Sequence, residues 1–429
     1  MLDIKLFRDD PDAVRRGLIR RGEEPGVVDV VRELDVRRRS VLTELEALRA
    51  ERNAGSKAIG RGGDEAERQA RIGAMRLANE RIDALDAERE VVEAELERHM
   101  QSIPNLPRDS VPDGRDARDN VVVREHGAPP RFDFEPRAHW DLGPALGILD
   151  FERGTRMSGS RFYVLSGAGA RLQRALIQFM LDFHAERGYT EVQPPYMVRE
   201  ACMWNAGQLP KFRDNLYHDA EDDFWFVPTA EVPLTNLHAG EILDASDLPR
   251  HYVAYTPCFR REKMSAGSDV RGIKRGHQFD KVEMYKFTTP EASPAELDAM
   301  LLDGCGVLEA LAIPYRVLQL CAGDLGFGST ITYDLEAWAA GCGEWLEVSS
   351  ISDFGSFQAR RAGIRYRLAG GGGVEPVHTL NGSGLGLPRT LIAVIENNQQ
   401  ADGSVVVPEV LRPRMGTDVI QATKVLSPG

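Results

Sequence analysis

The sequence predicts an α+β protein in two parts, an antiparallel β-sheet flanked by helices and, ahead of it, an N-terminal antiparallel helical coiled-coil arm. Three observations carry this reading. Two apolar seams with a spacing of about 3.5 residues run through the first hundred positions, separated by the helix-breaking run Gly60-Arg61-Gly62-Gly63-Asp64. The stretch from Tyr252 to Phe287 reads as strand, long polar loop and strand, which is an antiparallel hairpin with a basic tip. Near the end, His378 to Asn397 reads as a strand and a glycine turn leading into an apolar helix.

Composition narrows the choices. At 429 residues the chain has room for two or more domains with a sizeable core. Hydrophobic content of 42% and charged content of 28% fit a soluble globular protein. No run approaches the ~18 apolar residues that span a bilayer, and the opening MLDIKLFRDD has no signal-peptide apolar region, so a cytoplasmic protein without a membrane partner is expected. A net charge of −13 argues against indiscriminate coating of nucleic acid, and an RNA partner would have to be met by local basic patches. The cysteines, Cys202, Cys258, Cys305, Cys321 and Cys342, are odd in number and have no CxxC pair or histidine at ligand spacing. Neither a disulfide framework nor a structural zinc site is expected, and each reads as a small buried hydrophobe.

In chain order, residues 1 to about 27 read as a short helical segment, with Pro11 suited to a first turn and Gly26 to a stop. The first seam comprises Leu34, Val41, Leu45, Leu48 and Ile59, interrupted by Arg38, Arg52 and Gly55. Met75, Ala78, Ile82, Leu85, Val92 and Leu96 form the second. A turn between two matching seams favours a self-paired hairpin over a dimerising coiled coil, and a helix of about 35 residues extends roughly 50 Å. Ile103 to about Pro130 is rich in Pro, Asp and Gly and reads as an extended linker. From Ala168 to Arg187, Leu172, Leu176, Phe179, Met180 and Phe183 make one apolar helical stripe, and a strand from Tyr189 to Val192 runs into Pro194-Pro195. Thr229-Ala230-Glu231, held between Pro228 and Pro233, is a rigid loop that offers one hydroxyl and one carboxylate.

In the hairpin, Arg260, Arg261 and Glu262 end the first strand, while Lys263, Arg271, Lys274 and Arg275 sit on the loop. Side-chain alternation groups Arg260 with Glu262, and Phe279 with Lys281 and Glu283. An arginine suits bidentate phosphate recognition, a carboxylate accepts from an amine and a ring stacks on a base, so one strand pair can hold a triphosphate, a purine and an amino group. Beyond it, a helix from Glu296 to Leu311 and strands from Tyr315 to Leu320 and Thr330 to Trp338 read as sheet scaffold. Glu347 and Ser350 supply a carboxylate and a hydroxyl three residues apart, the oxygen donors that a hard divalent cation takes. Gly382, Gly384 and Gly386 allow close backbone approach, Ser383 adds a hydroxyl, and Arg389 enters the helix beside Pro388. No Ser-His-Asp or Cys-His arrangement presents itself.

The hairpin, with Thr256-Pro257-Cys258-Phe259-Arg260-Arg261-Glu262 followed by Arg271-Gly272 and His277-Gln278-Phe279-Asp280-Lys281-Val282-Glu283, resembles motif 2 of the class II aminoacyl-tRNA synthetases, in the version of the seryl-tRNA synthetases. The resemblance runs from MLDIKLFRDDP to VPEVLRPRMG. The helix and strand before Pro194-Pro195 look like motif 1, His378 to Asn397 looks like motif 3, and Gly207 to Phe212 and Val227 to Asn236 match loops that in this family close over the amino acid.

What the resemblance implies is an ATP-dependent serine–tRNA ligase, forming AMP and pyrophosphate on the class II antiparallel sheet. Residues 1–105 would be a tRNA-binding domain, 106–130 a linker and 131–429 the catalytic domain. Arg260 and Arg389 would be catalytic. ATP would meet Arg260, Arg261, Glu262, Phe279, Glu347, Val348, Ser349, Ser350 and Arg389, with Mg²⁺ on Glu347 and Ser350. L-serine would meet Thr229, Ala230, Glu231, Arg260, Glu283 and Ser383. The arm would lie against the long variable arm of tRNA(Ser), with Arg61, Arg68, Arg71 and Arg76 near phosphates, and motif 1 would make a homodimer. The competing readings are a specialised paralogue or a carrier-protein or metabolite aminoacyl ligase with the same adenylation chemistry, which would usually lack the arm, and a non-enzymatic RNA-binding module, which need not keep Arg260, Glu262, Glu347 and Arg389. Three departures from the family pattern are Ile331 in place of lysine, Ile351-Ser352-Asp353 in place of Cys-Ser-Asn and Asn205 in place of glycine; the last two lie beside pocket motifs, where a change of substrate choice or inhibitor sensitivity would mark a specialised paralogue.

Overall fold

The structure is a computed structural model that describes residues 1–60, 64–263 and 270–422. The chain divides into two compact units, Met1–Pro104 and Asn105–Gly429. No helix among the described residues is long and apolar enough to cross a membrane.

The first unit opens with two short helices, Ile4–Asp9 and Pro11–Arg20, capped by the Asp3 and Asp10 carboxylates, which accept from Lys5 N and Ala13 N. Two long helices follow, α1 (Val27–Gly60) and α2 (Glu65–Ser102). Val41 and Leu45 on α1 pack with Ile82 and Leu85 on α2, and Leu48 borders them, as the seam predicts. The ion pairs Arg37–Glu88 (2.9 Å), Arg81–Glu44 (2.8 Å) and Arg49–Asp86 (2.7 Å) cross between the helices, which run antiparallel as a self-paired hairpin. Burial fades outward: Ile72 and Leu77 are exposed, as are Arg68, Arg71 and Arg76, each beside a carboxylate one turn away. Arg61 lies outside the described residues, as does most of the turn between the seams.

The second unit is built on an eight-stranded sheet. Its strands are β1 (Val121–His126), β2 (Thr190–Glu191), β3 (Arg250–Phe259), β4 (Gln278–Thr288), β5 (Tyr315–Gln319), β6 (Ile331–Ala339), β7 (Glu344–Asp353) and β8 (His378–Gly386). They lie in the order β1-β5-β6-β7-β8-β4-β3-β2, antiparallel throughout except where β2 runs parallel to β3. Three helices, α3 (Gly167–Ala185), α4 (Ser293–Ala310) and α5 (Leu387–Asn397), cover one face. Leu172, Leu176 and Met180 of α3, Met300 of α4 and Leu391 and Ile395 of α5 share a core with Val282, Met284, Leu335 and Ile351 of the sheet. The hairpin register pairs Phe279 with Cys258, Lys281 with Thr256 and Glu283 with Ala254.

Two segments differ from expectation. The stretch read as a linker carries β1, an exposed edge strand paired with β5. Its Val121-Val122-Val123 run is the β-branched signal that the flanking Pro and Asp masked. Gly382, Gly384 and Gly386 form no turn, since they lie within β8 and the helix starts at Leu387. Close packing explains two of them: a Cβ on Gly382 would lie 2.8 Å from Ile351 Cγ1, and one on Gly384 would lie 2.3 Å from His184 Nε2.

Candidate active site

Along each central strand, alternate side chains enter the helical core, and the intervening ones open onto a cavity of about 570 Å³ on the other face. Phe279 and Lys281 come from β4, Asn381 and Ser383 from β8, Glu347, Val348, Ser350 and Ser352 from β7, and Thr332 and Asp334 from β6. Thr229, Glu231, Arg260, Glu262, Lys274, Arg275 and Arg389 add to the polar lining.

One end of the cavity is cationic and aromatic. Arg260 follows the last residue of β3, its Nε donating to Pro228 O (3.2 Å) and its guanidinium standing 5.0 Å from the Phe279 ring centroid. Glu262 takes a left-handed φ of 50° and lies 3.6 Å from Arg275 Nη1. Because β3 stops at Phe259, that left-handed residue, and not strand alternation, brings Glu262 to the cavity with Arg260. Arg389, in the first turn of α5, donates through Nη1 to Glu347 O (2.7 Å) and Oε2 (3.2 Å) and through Nε to Lys274 O (3.3 Å).

Glu347 and Ser350 share a face through a β-bulge. Ser350 pairs with Asp334, Ser349 with Leu335 and Glu347 with Glu336, which leaves Val348 unpaired and shifts the alternation by one residue. Burial pushes the Glu347 carboxyl up, but Arg389, with Arg260 and Arg275 behind it, holds it below the ordinary carboxylate range. Asp334 goes the other way: burial and the charge of Glu347 hold it well above that range, and its buried Oδ1 has no hydrogen-bond partner. A carboxylate, a partnerless carboxyl oxygen and a hydroxyl facing one cavity form the donor set of a hard divalent cation.

The other end is small and acidic. Glu231 opens the helix Glu231–Asn236, and its N–H donates to Thr229 Oγ1 (3.2 Å). Burial and the neighbouring Glu283 push the Glu231 carboxyl up to about 7, with Lys281 opposing them. Glu283 is fully buried and does not line the cavity. It pairs with Lys281 Nζ and accepts from Asn381 Nδ2 (3.1 Å), so Lys281 and Asn381 present its charge indirectly.

Of the other residues singled out in the sequence, Arg261, Ala230 and Ser349 also stay off the cavity wall. Arg261 turns away, donating to Leu216 O (2.9 Å) and stacking 4.9 Å from the Tyr217 ring. Ala230 is buried in the apolar cluster beneath. Ser349 falls on the far side of the β7 pleat, where its hydroxyl donates to Ser383 O (2.6 Å). Among the polar wall residues given no role from sequence are Asp334 and Asn381, whose positions depend on cross-strand register. The three departures from the family pattern do not line the cavity. Ile331 is a core side chain, Asn205 donates to Asn236 Oδ1 (2.7 Å), and Asp353 is buried against Arg108 and Ser293.

Behind the cationic end, His139, Cys342 and Glu396 come together despite their distance in sequence. Their polar atoms are committed to one another. His139 Nε2 accepts from Ile273 N (3.1 Å), so its protonated Nδ1 donates to Glu396 (2.7 Å), which also accepts from the Cys342 thiol (3.2 Å) and from the backbone N–H groups of His139 and Cys342 (both 2.8 Å). Next to it, Trp140 underlies Arg271 (4.5 Å) and Lys274 (5.3 Å). This cluster ties the end of α5 to the hairpin loop, and Arg389 and Arg275 depend on both. With the substrates that the resemblance implies, His139→Ala is expected to raise the KM for ATP by roughly tenfold, the loss of one charge-assisted tether, while leaving the KM for the amino acid within about twofold. Steady-state pyrophosphate exchange at varied ATP reads the split, and an unchanged ATP KM contradicts it.

Comparison with known proteins agrees across the whole chain. The family described as "Seryl-tRNA synthetase N-terminal domain" matches residues 1–107, and "tRNA synthetase class II core domain (G, H, P, S and T)" matches residues 212–398. The chain is 61% identical to the serine–tRNA ligase of Roseiflexus sp. (strain RS-1), covering 99% of this chain and 100% of the relative. With that of Chloroflexus aurantiacus the identity is 59%, over 97% and 98%. The crystal structure of seryl-tRNA synthetase from Pyrococcus horikoshii complexed with ATP superposes with a TM-score of 0.93 at 37% identity, covering 99% and 100% of the two chains.

Proposed function

Because the chain belongs to the seryl-tRNA synthetase family, within the class II aminoacyl-tRNA synthetases, we propose that its cavity joins L-serine to ATP and passes the seryl group to tRNA(Ser). The protein is a serine–tRNA ligase, and ATP is its substrate. The observation that carries the assignment of residues is that Arg260 and Arg389, far apart in sequence, open onto one cavity with a cationic, aromatic end and a small acidic end.

The first step is an in-line attack of the serine carboxylate on the α-phosphorus, with pyrophosphate leaving. Such a displacement needs the two reactants aligned and the developing charge met by fixed cations, with no side-chain nucleophile. Arg260, whose charge acts on both Glu347 and Glu231, holds the α-phosphate and the serine carboxylate. Phe279, already under the Arg260 guanidinium, stacks on the adenine, Glu262 accepts from its amine, and Arg389 meets the γ-phosphate. Mg²⁺ would be held by Glu347 and Ser350 with Asp334 beside them, and would neutralise charge on the phosphates. At the acidic end Thr229, Glu231 and Ser383 surround the serine, with Glu283 acting through Lys281 and Asn381. Hydrogen bonds to the serine hydroxyl reject alanine, and a closed wall rejects threonine. The terminal adenosine hydroxyl of the tRNA then attacks the adenylate carbonyl and AMP leaves.

The arm α1–α2 reads the tRNA, with Arg68, Arg71 and Arg76 on phosphates; the α3 face makes a homodimer, and the enzyme works in the cytoplasm. A carrier-protein or metabolite ligase would have no use for an N-terminal unit that matches the seryl family over residues 1–107.

Pyrophosphate exchange with serine, alanine and threonine tests this reading, and serine is expected to support it far better than either of the others. The pH profile adds a residue-specific check. With its pKa raised to about 7, Glu231 is protonated below that value and loses the charge that strengthens its hydrogen bond from the serine hydroxyl. The kcat/KM for serine is expected to fall as pH drops through about 7 while that for ATP stays level, and Glu231→Gln should flatten the serine profile. A serine profile unchanged in that variant removes Glu231 from the pocket.

A further inference from the structure

Gln358 takes no part in the chemistry described above and does not line the cavity, yet it is fully buried one residue layer behind the acidic end. It sits on the helix Phe357–Ala362, and its amide makes four hydrogen bonds to four separate elements. Nε2 donates to Glu231 Oε1 (2.6 Å) and to Ala206 O (3.1 Å). Oε1 accepts from Tyr285 O–H (2.9 Å) and Thr379 O–H (2.6 Å).

The chemistry of the partners permits one orientation. A carbonyl and a carboxylate can only accept, so both must face the NH₂ group, and the two hydroxyls must face the carbonyl oxygen. Turning the amide over would set its oxygen against two acceptors in a buried site. Two hydroxyls on neighbouring strands, Tyr285 of β4 and Thr379 of β8, therefore lock the amide, which in turn fixes the Glu231 carboxylate. The Ala206 carbonyl held by the same nitrogen belongs to the segment Ala206-Gly207-Gln208 that forms another part of the cavity wall. One NH₂ group thus sets the distance between the carboxylate and the facing wall.

We propose that Gln358 is a specificity-determining positioning residue: through Glu231 and the Ala206 carbonyl it sets the width of the pocket and so the preference for serine over threonine. This rests on Glu231 being part of the serine pocket. Oε1 of Glu231 is occupied by Gln358, which leaves Oε2 for the ligand. Threonine differs from serine by one methyl group, so a wall that yields even slightly gives up most of the discrimination that one methyl can supply.

The test is pyrophosphate exchange by the full chain at varied serine, threonine and ATP, for Gln358→Glu, Thr379→Val and Glu231→Gln. Gln358→Glu has the same shape but replaces the donor with an acceptor facing a carboxylate. It is expected to raise the serine KM by roughly ten- to a hundredfold, the effect of a hydrogen bond to a charged group, and to lower the serine/threonine ratio of kcat/KM by about tenfold. The ATP KM should stay within about twofold, since the amide has no partner at the cationic end. Thr379→Val removes one of the two hydroxyls that hold the amide, and should move both serine parameters the same way by a smaller factor. If Gln358→Glu fails to fold, Thr379→Val decides alone. Serine KM and serine/threonine ratio both unchanged in the folded variants overturn the proposal, and so does a parallel rise in serine and ATP KM with a lowered Tm, which marks a merely structural role. Glu231→Gln separates the two layers of inference. If it leaves the serine KM unchanged, the pocket assignment itself fails; if it raises that KM while the other variants do not, the role of Gln358 alone fails.

Discussion

Arg260→Ala is expected to lower serine-dependent pyrophosphate exchange by at least about a thousandfold, because on the proposed reading it removes a cation that meets both reactants as charge develops at phosphorus. Its position follows from three constraints: β3 ends at Phe259, Nε is anchored on Pro228 O, and the guanidinium plane lies over Phe279. Arg260→Lys should recover little of the loss, since a lysine keeps the charge but loses both the fork geometry and the stacking. Single-turnover formation of the adenylate at saturating serine and ATP measures the chemical step directly. Activity within about tenfold of the parent in the alanine variant would place Arg260 outside the reacting centre.

Excising residues 30–100 is expected to separate the two half-reactions. The cavity is lined wholly by residues of the second unit, which has its own large core, so exchange should stay within about threefold of the full chain. Transfer to tRNA should fall by more than about a hundredfold if, as proposed, Arg68, Arg71 and Arg76 of α2 meet the RNA phosphates. Aminoacylation measured beside exchange on the same preparation reads both numbers. Transfer that survives the excision means that the RNA is read elsewhere.

Much of this organisation was legible in the sequence because it follows from local periodicity. The heptad seam through Val41, Leu45, Ile82 and Leu85, the apolar stripe through Leu172, Leu176 and Met180, and the alternation from Phe279 to Phe287 each state their partner surface in the spacing of their residues. At the cationic end the same alternation placed Phe279 with Lys281, whereas Glu262 reaches the cavity through its left-handed backbone and not through the alternation that grouped it with Arg260. What escaped was set by register between distant strands. Nothing local marks Asp334 as the neighbour of Ser350, or shows that Lys281 stands between Glu283 and the cavity. Ser349 and Arg261 illustrate the converse, since they adjoin wall residues in sequence and yet the pleat of β7 turns Ser349 away and Arg261, beyond the end of β3, is held on Leu216 O. Gln358 lies furthest from such reasoning, because its meaning exists only once four separate segments have converged on it.

The unpaired Val348 makes the length of β7 matter more than its composition. Conservative exchanges at its core-facing positions cost only packing. Dropping a single residue between Leu346 and Ser350 would erase the phase shift, swing Glu347 into the apolar layer beneath and strip Arg389 of its carboxylate partner. Natural relatives should therefore vary in spelling along this strand while keeping the count of residues between Glu347 and Ser350 constant. Insertion or deletion scanning there should abolish activity at every site, even though the sheet around it could absorb the change.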